Sequence, residues 1–149
     1  MFAACEGEIE LDVVSSNLTG KDNQVHNVLN LDESEWLTDE ENTEHRGFVL
    51  RTRGCKRVIT GIRIQNAAQP RATKSFRVSG ASEFNREWNN LLEANLGENS
   101  ATVTFHLSQP EEVRFIRFEL LSSHRGGVGG LQSFSLTTGK PCYNQNFAK

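Results

Sequence analysis

The sequence predicts an all-β chain folded as an antiparallel β-sandwich or jelly roll, and three observations carry that expectation. Apolar residues recur at every second position along most of the chain, the period of a half-buried strand and not of a helix. Turn-rich segments at 15–23, 38–47, 66–73, 97–100 and 122–130 separate the strand candidates into short runs. Helical propensity is confined to about one turn near Val25 to Leu31, so the crossover helices of a parallel α/β fold are missing.

Each strand rests on its own pattern. Ile9, Leu11 and Val13 alternate with acids, and Phe48 and Leu50 alternate with Val49 and Arg51. Val58, Thr60, Ile62 and Ile64 oppose Ile59, Gly61, Arg63 and Gln65, a strand with one wetter face. Phe76 and Val78 bracket Arg77. Glu87 to Ala94 has some helical character, but Trp88 and Leu91-Leu92 stand just before a Gly97-Glu98-Asn99 turn and fit a short strand equally well. Val103, Phe105 and Leu107 alternate with Thr104 and His106, which makes His106 a solvated strand residue. Ile116, Phe118 and Leu120 alternate with Arg117 and Glu119, and a final strand runs from about Leu131 to Thr137.

A chain of 149 residues is one domain spanning 1–149, with the tail 143–149 expected to fray. Its hydrophobic fraction of 36% is low, but nine Phe and two Trp concentrate it in side chains that each bury a large area. No apolar run is long enough to span a membrane, and Met1 to Cys5 lacks the charged start and apolar stretch of a signal peptide. If the protein is secreted, its signal is absent from this chain.

A net charge of -3 argues against nucleic acid as a partner, although charge is unevenly spread. Asp32 to Glu44 holds seven acids, whereas Arg46 to Ser82 holds nine bases and no acid. Either these are solvated faces and loop tips that neutralise one another across the fold, or the basic stretch is an anion-facing patch. Three cysteines cannot all pair. Cys5 and Cys142 lie near the two ends and Cys55 inside a strand-like run, so one bridge between the termini and one buried thiol is the economical arrangement. Three reduced thiols in a cytosolic protein is the alternative. No Cys/His spacing points to zinc.

Four segments bring a family into view when taken in order. They are Asn27-Val-Leu-Asn-Leu-Asp-Glu-Ser-Glu-Trp36; Gly47-Phe-Val-Leu50 with Arg57-Val-Ile-Thr-Gly-Ile-Arg-Ile64; Ser75-Phe-Arg-Val-Ser-Gly80 followed by Trp88; and Val113-Arg-Phe-Ile-Arg-Phe118 leading to Gly129-Gly-Leu-Gln-Ser-Phe134. Together they resemble the discoidin, or coagulation-factor type C, domain within the galactose-binding-like jelly rolls. The resemblance covers nearly the whole chain. It implies that Trp36 and Phe118 are buried, and Cys5 and Cys142 fall where many members tie their termini together. It also brings in a calcium site, for which Asn27, Asn30, Asp32, Ser34 and Gln132 are the candidates. Asn30-Leu31 replaces the usual Asp-Gly, and Gln132 stands where many relatives have Glu, so the set holds one carboxylate, Asp32.

In relatives of this architecture ligands sit on the loops at one end of the sandwich. Here those loops hold His45, Arg46, Arg71, Lys74, His124 and Arg125, donors suited to sugar hydroxyls, sulfates, carboxylates or lipid phosphates. Gly126, Gly127, Gly129 and Gly130 allow close backbone approach or positive φ. Polar tips disfavour deep insertion into lipid. Four His are present, but no Gly-x-Ser-x-Gly, paired-acid motif or phosphate loop accompanies them, so no enzyme is expected. The expected role is recognition of a glycan or glycoprotein by an extracellular lectin-like or adhesion module. The alternatives are a protein-interaction subunit in a cytoplasmic setting and an anionic phospholipid binder. Asn17-Leu-Thr19 is a glycosylation acceptor if the chain enters a secretory pathway.

Overall fold

The computed structural model describes residues 7–15, 22–29, 34–37, 47–69, 71–83, 87–99, 101–126 and 129–138. Among the described residues there are ten strands, in two antiparallel sheets: β1 Gly7–Glu8, β2 Leu11–Ser15, β3 Trp36–Leu37, β4 Gly47–Thr52, β5 Arg57–Asn66, β6 Thr73–Ala81, β7 Asn89–Asn95, β8 Thr102–Val113, β9 Phe115–Ser123 and β10 Gly130–Thr138. One sheet has the order β1-β10-β5-β8, with β3 also on β10; the other runs β2-β4-β9-β6-β7. Asp22–Leu29 is a 3₁₀ helix, close to the predicted turn. No described helix is long and apolar enough to cross a membrane.

Alternation explains the core. Phe76 and Val78 on β6, and Ile116, Phe118 and Leu120 on β9, point inward and meet Ile62, Ile64, Phe134 and Leu136 from the facing sheet. Trp36, Phe48, Phe76, Phe118 and Phe134 are all buried. Phe118 is stacked between Phe48 and Phe76, at centroid distances of 5.2 and 5.5 Å, while Trp36 meets Phe48 edge-on at 5.0 Å. Offset and edge-to-face pairs of this kind add to the area that the rings bury.

Two details depart from the simple alternation. On β5 the buried residues are Ile59, Gly61, Ile62, Ile64 and, at its end, Asn66; the register against β8 slips between Ile59 and Gly61, so that Ile59 faces Glu111 and Gly61 faces His106. The bulge shifts the phase by one residue, taking Val58 and Thr60 out of the fully buried set and putting Ile59 in. β8, an edge strand, also absorbs Pro110, whose missing N–H an edge tolerates. The second departure corrects the reading of Cys55. It is an exposed free thiol in the turn between β4 and β5, where Gly54 takes φ 93° and Thr52 Oγ1 donates to the Cys55 carbonyl at 2.5 Å. A tight turn, not a strand interior, sets its exposure. Cys5, Cys142, Asn17 and the tail 143–149 lie outside the described residues.

Candidate functional site

Pairing places three connections at one end of the sandwich. Asn66 of β5 lies opposite Leu131 of β10, Gln65 opposite Thr102 of β8, Thr73 of β6 opposite Ser123 of β9, and Ser75 opposite Asn95 of β7. The described parts of the three connections, 67–69 with 71–72, 96–99 with 101, and 124–126 with 129, therefore converge there.

A buried polar side chain ties them together. Asn66, 1% exposed, donates through Nδ2 to the carbonyls of Thr73 at 2.9 Å and Gly97 at 2.8 Å. Its Oδ1 accepts from the amides of Ala67 and Thr73, both at 2.8 Å. All four hydrogen-bonding positions of the amide are thus occupied, as a buried Asn requires. Buried Thr73 extends the network by donating Oγ1 to the Gly130 carbonyl at 2.7 Å. Gly130 itself faces Leu37, and a Cβ there would run into the Trp36 carbonyl, so a glycine is needed for β10 to close on β3.

The candidate side chains stand on this base. His124, half-buried, bonds the Leu96 carbonyl through Nε2 at 2.6 Å, and its amide donates to the Ala72 carbonyl at 3.0 Å. Arg125 donates Nε to Glu98 Oε2 at 2.9 Å and reaches Gln69 Oε1 at 3.4 Å, while Gln69 Nε2 donates to the Glu98 carbonyl at 3.0 Å. Arg71 lies 3.5 Å from Glu35 Oε1, and Glu35 Oε2 accepts the Ala68 amide at 2.8 Å. The hydrogen bond from Arg125, helped by the nearby positive charge of Arg125 and His124, holds the Glu98 carboxyl below the usual carboxylate range. Lys74 is exposed at the start of β6, and its carbonyl accepts the Leu96 amide at 2.7 Å. Gly126 adopts φ 75°, the left-handed conformation that suits glycine in this loop.

Of the predicted ligand contacts, Arg71, Lys74, His124 and Arg125 share this end, whereas His45 and Arg46 lie outside the described residues. Sequence reasoning missed Glu35, Asn66, Gln69 and Glu98. Asn66 and Gln69 fell inside a segment read only as a turn, and nothing local marks their partners, which are up to 56 residues away.

The eight described bases of the 46–82 stretch do not form one patch. Arg53 pairs with Asp12 at 2.7 Å at the opposite end, and Arg77 pairs with Glu93 at 2.8 Å on a sheet face. For calcium, Asn27 donates Nδ2 to the Glu35 carbonyl at 2.7 Å, Ser34 precedes β3 and Gln132 lies on β10; Asn30 and Asp32 lie outside the described residues. Asn27, Ser34 and Gln132 bring neutral oxygens only, and calcium ordinarily needs carboxylates, so these three do not make a site without Asp32. Among the described residues no group of three or more His, Cys, Asp or Glu comes together.

The family model for the F5/8 type C domain matches residues 13–133. The chain belongs to the F5/8 type C domain family. In this F5/8 type C domain the match runs from β2 to β10 and takes in all three converging connections. Solved structures share the fold. A CBM32 domain from a family 31 glycoside hydrolase of Clostridium perfringens superposes with a TM-score of 0.71 at 8% identity, covering 89% of this chain and 97% of its own. The family 32 CBM of C. perfringens NanJ, solved in complex with galactose, gives 0.70 at 12% identity, covering 89% and 98%. A further C. perfringens CBM32 domain, solved with GalNAc-β-1,3-galactose, gives 0.65 at 10% identity, covering 89% and 95%. No curated protein sequence matches the chain.

Proposed function

We propose that this F5/8 type C domain is a non-catalytic carbohydrate-binding module that reads sugar hydroxyls at the loop end, in a lectin-like or adhesion role. One observation carries the reading: Arg71, Gln69, Glu98, His124 and Arg125, from three separate connections, gather at one end over a buried Asn66. Sugars are recognised through hydroxyls that both donate and accept, and this cluster offers guanidinium and amide donors beside carboxylate and amide acceptors. That structural relatives were solved with galactose and GalNAc-galactose supports the ligand class.

Arg71 and Arg125 are the direct ligand contacts, with Lys74 at the rim; His45 and Arg46, the other contacts expected from the sequence, lie outside the described residues. His124 positions residues 124–126 through its bond to the Leu96 carbonyl, leaving its other ring nitrogen for the ligand. The proposal carries with it an extracellular setting, a Cys5–Cys142 bridge, and a structural calcium whose carboxylate would be Asp32. Glycan-array binding of the intact chain, with and without a calcium chelator, tests it. Selective hits are expected. Silence on every glycan in both conditions would overturn the carbohydrate reading and shift weight to a protein partner.

A further inference from the structure

Two arginines of the loop end are already paired with carboxylates. Arg125 holds Glu98 at 2.9 Å and Arg71 holds Glu35 at 3.5 Å. Glu98 is also well fixed: its carbonyl accepts from Gln69, the Gly97 carbonyl from Asn66, and the Leu96 carbonyl from His124. Its side chain keeps 33% of its surface open, so a ligand reaching Arg125 also meets this carboxylate. A sulfate, carboxylate or phosphate would have to displace Glu98 or sit beside it against like-charge repulsion. A sugar hydroxyl can instead accept from the Arg125 fork and donate to Glu98 together, leaving the ion pair intact.

Building on the carbohydrate reading, we propose that the loop-end site selects uncharged sugars over sulfated, sialylated or uronic ones, and that Glu98 sets this selectivity. The direct test is an array that prints neutral oligosaccharides beside their sulfated, sialylated and uronic counterparts, probed with the wild type and with Glu98→Gln. Wild type is expected to favour the neutral member of the bound pair by about tenfold or more, the scale of one charge-assisted contact. Glu98→Gln keeps the shape but removes the negative charge, so binding of the charged member should rise and the preference should shrink. Thermal unfolding should move by no more than about 3 °C, since an exposed ion pair contributes little to stability. Glu93→Gln, on the sheet face, should leave the preference unchanged. A wild type that favours the charged member, or a Glu98→Gln variant that weakens both members equally, would overturn the selectivity while leaving carbohydrate binding intact. Silence of the wild type on every glycan would instead reject the carbohydrate reading, and this inference with it.

Discussion

The two ends of the sandwich use the same chemical groups in different ways. At the loop end, arginine–carboxylate pairs join connections distant in sequence: Arg125 reaches Glu98 across 27 positions and Gln69 across 56. They rest on Asn66, whose four buried hydrogen bonds hold the backbone beneath them. At the opposite end the connections are short. Residues 53–56 join β4 to β5, and Arg114 alone joins β8 to β9. There Arg53 bonds Asp12 on the neighbouring strand, and Arg114 donates its Nε to the Thr52 carbonyl at 3.0 Å and its amide to the Ala81 carbonyl at 2.9 Å. An ion pair across adjacent strands closes a fold, whereas one spanning separate loops over a rigid base holds polar groups where a ligand can meet them.

The largest expected contrast comes from Asn66. Asn66→Ala leaves the Gly97 carbonyl and the backbone of Thr73 without their partner, so it should cost about 3 kcal/mol in chemical denaturation and weaken glycan binding as well. At the other end Thr52→Val removes a single bond to the Cys55 carbonyl, in an exposed turn, and should cost about 1 kcal/mol with binding unchanged. Equal losses of stability, or loss of binding from Thr52→Val, would break the contrast.

The arginines sharpen it. Arg125→Ala or Arg71→Ala should weaken glycan binding by about tenfold to a hundredfold in calorimetric titration, the worth of a charge-assisted contact. Stability should change by less than about 0.5 kcal/mol, because the pairs are surface-exposed. Arg53→Ala should leave binding untouched.

How much of this the sequence made legible depends on the range of the forces involved. Strand periodicity is local, so β6, β9 and β10 could be read directly, whereas the burial of Trp36 and Phe118 was implied by the resemblance of their segments to the family. The bulge at Ile59–Gly61 escaped because it arises from pairing with β8. Cys55 was drawn into a strand because the turn between β4 and β5 is only four residues long and Gly54 is its single strong signal. In the site, Arg71, His124 and Arg125 stood out as polar groups in turn-rich segments. Asn66 and Glu98 acquire their roles only from contacts that the fold creates.

Acid titration offers a smaller effect. Asp12 and Glu98 are each held below the ordinary carboxylate range, chiefly by hydrogen bonds from Arg53 and Arg125. A depressed folded-state pKa means a stabilising contribution that is present above the unfolded pKa, near 4, and lost as pH falls through the folded value. Carboxyl NMR titration should therefore show both groups titrating low, with Arg125→Ala restoring Glu98 alone and Arg53→Ala restoring Asp12 alone. Smaller still is the effect expected at Cys55: a thiol reagent should label it in the native protein without denaturant, and Cys55→Ser should leave unfolding unchanged within about 0.5 kcal/mol. Labelling that requires unfolding would contradict the exposed turn.

The central claim, that recognition belongs to the braced end, is tested most directly by following backbone amide NMR shifts while titrating the glycan that binds most strongly on the array. Perturbations are expected to concentrate at 66–69, 71–74, 96–99 and 123–126, with those at 51–57, 81–83 and 114 unmoved. Perturbations centred on the second set, or spread along the strand faces through Arg63 and Arg77, would contradict it.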